Sequence, residues 1–176
     1  MLIGGFVWEK ILGPSETIKY TFSIGTRYCI IGFMFWVALS FLIAGLMLSV
    51  DNQLINTLGP IIAILFIIFA IFYYGFYLRI ANMYAFTDKR VIIHRGWLST
   101  NTISIDYERI TDTIVRERFI ENLIMGTGDI LVNTAGTGEY EVNLVSIAHP
   151  YEIKKKLDEI RNLRMERYLN KAGDGA

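Results

Sequence analysis

The sequence predicts a two-helix transmembrane hairpin followed by a small α+β domain, and three observations carry that prediction. Residues 28–50 and 52–78 contain no charged side chain and are separated only by Asp51. Between residues 83 and 145, apolar and polar side chains alternate in short runs broken by Gly, Asn and Asp, which is the period of strands. After Pro150 the apolar residues return at helical spacing, as on a helix with one buried face.

The two uncharged runs come first in the argument. A bilayer core of about 30 Å takes about 20 apolar residues as a helix, and both runs reach that length, with helices at 28–50 and 57–78. Gly32, Ser40 and Ala44 fall at multiples of four in the first, and Gly59, Ala63 and Ala70 lie in the second; small residues on one face let helices approach closely. Pro60 falls near the start of the second helix, where its missing N–H costs little. Lys10, Lys19 and Arg27 precede the hairpin, Arg79, Lys89 and Arg90 follow it, and the connecting turn holds Asp51 and no basic residue. Positive-inside counting therefore puts both termini in the cytoplasm, with Tyr28, Tyr73, Tyr74 and Tyr77 as an aromatic belt on that side. A lead of 27 residues before a span this long does not fit a cleaved signal peptide.

The N-terminal segment, residues 1–27, opens with Gly4-Gly5 and carries a second break at Gly13-Pro14-Ser15. Between them Phe6, Val7, Trp8, Ile11 and Leu12 either meet the membrane surface or pack on the soluble domain. Ile18, Tyr20, Phe22 and Ile24 alternate with Lys19, Thr21 and Ser23. That pattern suits a half-buried strand or an early, interfacial start of the first helix, and the residues leave both open.

Beyond the hairpin, residues 79–170 have room for one modest domain. Strands are expected at 83–87, 90–97, 102–107 and 110–119, with a tight turn at Asp88-Lys89 and a bend at Gly96. His94 falls on a strand surface. Residues 119–125 read as a helical turn ended by Gly126. A strand at 129–134, a hairpin loop at 135–138 and a return strand at 140–145 follow. His149 marks the start of a last helix, where Pro150 suits the first position and Glu152 the first turn. Ile153, Leu157 and Ile160 form its apolar stripe, and residues 171–176 are a frayed tail.

Lys plus Arg equals Asp plus Glu at 17 each over 176 residues, so no charge excess points to nucleic acid. Cys29 is the only cysteine, which rules out an internal disulfide and paired-cysteine metal sites; in apolar surroundings its thiol should be inert. His94 and His149 have no metal-ligand spacing. Gly126-Thr127-Gly128 precedes a strand rather than a helix N-terminus, so it is a turn and not a phosphate loop. Glu117 and Glu121 are the nearest approach to an acid–base pair, yet lone surface carboxylates are common. Both spans lack the ionisable residues that mark a transport pathway. No catalytic residue, metal site or cofactor is expected, and the chain is read as non-enzymatic.

From Tyr84-Ala-Phe-Thr-Asp-Lys-Arg-Val-Ile-Ile-His-Arg-Gly96 onward the sequence resembles the bacterial pleckstrin-homology-like domain of the YdbS/YdbT type, formerly a domain of unknown function. Asp106-Tyr-Glu-Arg-Ile110, Gly126-Thr-Gly-Asp-Ile130, Val142-Asn-Leu-Val145 and His149-Pro-Tyr-Glu152 continue the resemblance in order. It implies a bent antiparallel sheet or barrel capped by a C-terminal helix, placed after paired membrane helices, and it supplies no reaction. It also implies a candidate site. Eukaryotic relatives hold phosphoinositide headgroups with basic residues around the first hairpin, and here Lys89 and Arg90 occupy that turn, with Arg95 further along the strand. Beside a membrane each would gain about 1 kcal/mol from an anionic surface; the plainer account is turn chemistry and solubility. The basic helix at residues 154–167 is read as packing across the sheet in preference to lying on lipid. The function expected is a membrane-anchored binding or assembly module at the cytoplasmic face, as a homo-oligomer or with a membrane partner, the alternative being recognition of anionic lipid.

Overall fold

A computed structural model describes residues 8–134 and 142–173, with side chains to residue 167. The expected loop at 135–138 and the breaks before Trp8 lie outside the described residues, as do the start of the return strand and the end of the tail.

Alternation wins in the N-terminal segment. Ile18–Ser23 forms strand β1, and Gly25 then starts helix α1, Thr26–Leu48. A polar turn leads to α2, Gln53–Ala81. Asn52 caps α2 through its side-chain oxygen, which accepts from the N–H groups of Leu54 and Ile55 at 3.0 and 3.4 Å. That cap moves the helix start back from residue 57 to Gln53, so Pro60 lies inside the helix rather than in its first turn. Residues Ile71–Tyr77 of α2 are π-helical.

The small residues fill the seam between α1 and α2. Tyr74 lies so close over Gly32 that a Cβ there would stand 2.2 Å from the ring, and Trp36 donates to the Tyr74 hydroxyl at 3.2 Å. Gly59, Ala63 and Ala70 are buried. Elsewhere the two helices face outward. Only 11 % and 17 % of their apolar windows are buried, which separates them from core helices of a soluble protein. They are long and apolar enough to cross a membrane.

Strand β2, Asn82–Thr87, follows α2 without a linker and pairs antiparallel with β1, Tyr20 opposite Phe86 and Ser23 opposite Met83. The hairpin is thus an insertion between two neighbouring strands of one sheet. β3 (Arg90–Arg95) and β4 (Asn101–Asp106) complete the order β1-β2-β3-β4. The turn between them needs Gly96, whose φ is +94° and where a Cβ would stand 1.9 Å from the Ser99 carbonyl oxygen. β5 (Ile110–Arg116), helix α3 (Phe119–Met125), β6 (Thr127–Thr134) and β7 (Val142–Ala148) follow, and β5-β6-β7 form a second sheet. A bridge from Ile24 to Ile147 links the two sheets. Helix α4, Pro150–Gly173, packs across them.

One core joins these layers. Tyr84 and Phe86 of β2, Val91 and Ile93 of β3, Ile130 and Val132 of β6 and Leu144 of β7 meet Ile153 and Leu157 of α4. The opposite face of the first sheet is also covered. Trp8, Ile11 and Leu12 pack on Ala85 and Ile92, so His94, expected on a strand surface, is buried. Its Nδ1 lies 3.1 Å from the Thr102 hydroxyl, and burial pushes its pKa down, favouring the neutral ring.

Candidate functional site

The direction of β2 decides where the predicted basic residues go. Ala81 ends the hairpin and Asn82 begins the strand, so the turn Asp88-Lys89 lies one strand length, about 20 Å, from the helices. Headgroup recognition by that turn requires it beside the membrane; the strand carries it to the opposite, distal end of the domain. β3 then returns, with Arg90 distal and Arg95 at the base from which the helices leave. The ends of β3 are about 17 Å apart, so Lys89, Arg90 and Arg95 do not converge on one site.

Each has its own work. Arg90 grips Glu16, Nη2 to Oε2 at 2.9 Å and Nε to Oε1 at 3.0 Å, and Nη2 also donates to the Ile11 carbonyl at 3.3 Å. The Glu16 side chain is only 2 % exposed. Burial alone would raise its pKa, but donation from Arg90, the Gly13 N–H and the Thr87 hydroxyl outweighs that and brings it down to about 2. The pair clamps the N-terminal segment to the sheet. Arg95 donates to the Asn143 carbonyl and so ties the two sheets together near the Tyr84 hydroxyl, which accepts from the Val145 N–H at 3.3 Å. Lys89 reaches the Ser15 hydroxyl at 3.4 Å and faces a groove.

That groove, of about 510 Å³, is the feature sequence reading missed. It lies at the distal end between β1, the β2–β3 turn and α4. Lys19, Lys89, Lys156, Arg164 and Arg167 line it against two carboxylates, Asp88 and Glu159, and Tyr20, Ile160 and Leu163 supply apolar surface. The Lys156 ammonium sits 3.8 Å from the centre of the Tyr20 ring, a contact that brings no opposite charge to it. Arg164 donates to the Asp88 carbonyl at 2.8 Å and lies 3.4 Å from Glu108. Arg161 donates to the Ile110 carbonyl at 2.7 Å. Two arginines therefore fix the helix while Lys156 faces the opening. The signal was present in the alternation of Lys19 with Tyr20 and in the basic side of α4, but nothing in one sequence brings β1 beside residues 156–167.

The remaining candidates are structural. His149, at φ +52°, begins α4, and its carbonyl accepts from the N–H groups of Glu152 and Ile153 at 3.0 and 3.2 Å. Glu121 pairs with Arg118 at 2.6 Å, and Glu117 accepts from Asn122 at 2.8 Å, so these two carboxylates serve different partners.

The family model described as a bacterial PH domain matches residues 25–161, taking in both apolar helices and every strand after β1. A crystal structure of a DUF1696 family protein with a pleckstrin-homology domain from Shewanella loihica PV-4 is similar at 18 % identity, over 46 % of this chain and 71 % of that one, with a TM-score of 0.37. No curated protein matches. The chain belongs to the bacterial PH domain family.

Proposed function

We propose that this chain is a two-span membrane protein that displays its PH domain in the cytoplasm as a non-enzymatic binding and assembly module. The observation that carries the reading is the distal groove, where five cations and two carboxylates surround an apolar floor on the side away from the helices. A site with that chemistry suits an acidic segment of a protein partner, or of a second copy of the chain, that also offers apolar side chains. Its distance from the hairpin, about 20 Å along β2, argues against headgroup recognition by Lys89, Arg90 and Arg95 in the bilayer that holds the helices. Both termini are read as cytoplasmic from Lys10, Lys19, Arg27 and Arg79 flanking the hairpin against the lone Asp51 in its turn.

Native mass spectrometry of the detergent-extracted chain tests this, with Lys19→Glu/Lys156→Glu as the comparison. A defined oligomer or retained protein partner, lost in the double variant with far-UV circular dichroism unchanged, is expected. A monomer with no partner, repeated by crosslinking in cells, overturns the assembly reading. Retention of the chain in the membrane pellet after alkaline extraction tests the two spans separately.

A further inference from the structure

The base of the domain is as apolar as its distal end is basic. α3 turns its apolar side outward, with Phe119 80 % and Leu123 73 % exposed and Ile120 and Ile124 exposed beside them. A helix on a water-soluble domain buries such a stripe; this one displays it. α3 sits by the first turn of α1, since Gly126 at its end approaches the Arg27 guanidinium. The β3–β4 turn behaves alike. Leu98 is 90 % exposed, and Trp97 meets the rings of Phe72 and Phe76 on α2 at 5.9 and 6.3 Å between centres.

That ring contact gives the turn a depth. Phe76 and Phe72 lie at most about 8 and 14 Å along α2 from its junction with β2, the π-helical turn shortening the rise. A helix of 29 residues is about 44 Å long, which matches a bilayer of about 40–45 Å with its headgroups. Phe72, Phe76 and Arg79 then stand at the cytoplasmic interface, and Trp97 stands among them. Interfacial segments bury their apolar faces about 5–10 Å into the headgroup–acyl boundary.

We propose that the base of the domain is a lipid-contacting surface, in which α3 and the turn at Trp97 and Leu98 sink into the leaflet that the hairpin leaves. The occupant is the bilayer because the apolar surface is continuous, running from α2 through Phe72 and Phe76 to Trp97 and Leu98. Exposed Arg27 and Arg79 at the helix ends supply cations at phosphate level. The inference rests on the membrane reading above. It adds that the domain lies against the membrane at fixed depth, with the groove held outward.

The test uses the full chain with Cys29→Ala and one new cysteine at a time, Leu98→Cys, Leu123→Cys, Phe41→Cys or Leu163→Cys. Each is spin-labelled and reconstituted in vesicles of phosphatidylethanolamine and phosphatidylglycerol. Collision with oxygen should exceed collision with a water-soluble nickel chelate at 98 and 123, as at 41 within α1, and the order should reverse at 163 in the groove. Nickel prevailing at 98 and 123 while 41 stays in lipid overturns this inference and leaves the two spans standing. Low access to both reagents at 98 and 123 also overturns it, because protein then covers the base. Nickel prevailing at 41 removes the hairpin from the bilayer and overturns both.

Discussion

The base and the distal end of this domain use the same residue types in opposite ways. Leu157 is fully buried between α4 and the sheets, whereas Leu98 at the base is 90 % exposed. Arg90 at the distal end is spent on a buried carboxylate, whereas Lys156 in the adjacent groove rests on a ring and keeps its charge. The difference teaches that residue type does not assign a role in this chain. Position in the fold does, and β2 and β3 each carry the chain from one end of the domain to the other.

Substitutions separate the two kinds of leucine and the two kinds of cation. Leu157→Ala should cost about 2–5 kcal/mol, through lost burial and the cavity left behind, read by denaturant unfolding of the purified chain in detergent. An effect below 1 kcal/mol would mean that α4 is not part of the core. Glu16→Gln should cost about 2 kcal/mol, below the usual figure for a broken buried pair because the Arg90 side chain is 28 % exposed. A double-mutant cycle with Arg90→Met isolates the coupling, and a coupling near zero would remove the clamp.

The same pair sets an acid limit. The folded pKa of Glu16 lies near 2 against an ordinary 4.5. Its stabilisation is therefore present above about pH 4.5 and is lost as the pH falls toward 2. The wild-type midpoint in urea should drop across that window, and the drop should shrink in Glu16→Gln. Equal drops in both would assign the acid sensitivity to other carboxylates. The smallest effect belongs to the base, where Leu98→Ser should change stability in detergent by less than about 0.5 kcal/mol. A larger loss would show that Leu98 is packed rather than displayed.

Much of the fold was legible. Uncharged runs of bilayer length give the helices, period-two alternation gives most strands, and Pro150 starts α4 where expected. What escaped depends on long-range pairing. Six alternating residues before a helix carry too little information to choose strand over helix, and β1 is fixed only by β2, on the far side of the hairpin. Glu16 and Arg90 are 74 positions apart, so their pairing has no local sign. His94 reads as a surface residue until Trp8 and Leu12 cover that face. The groove needs β1, a turn and α4 together, and its depth relative to the helices follows from strand direction, which periodicity does not report.

The insertion of the hairpin between β1 and β2 has a consequence for biosynthesis. β1 leaves the ribosome before either helix, while its partner strand follows both. In a bilayer, an even number of crossings returns β2 to the compartment where β1 waits. A chain that inserted only one helix would put the two strands on opposite sides, and the first sheet would lack β1. Closure of the first sheet therefore requires both ends of the hairpin to lie on the same side of any bilayer it enters.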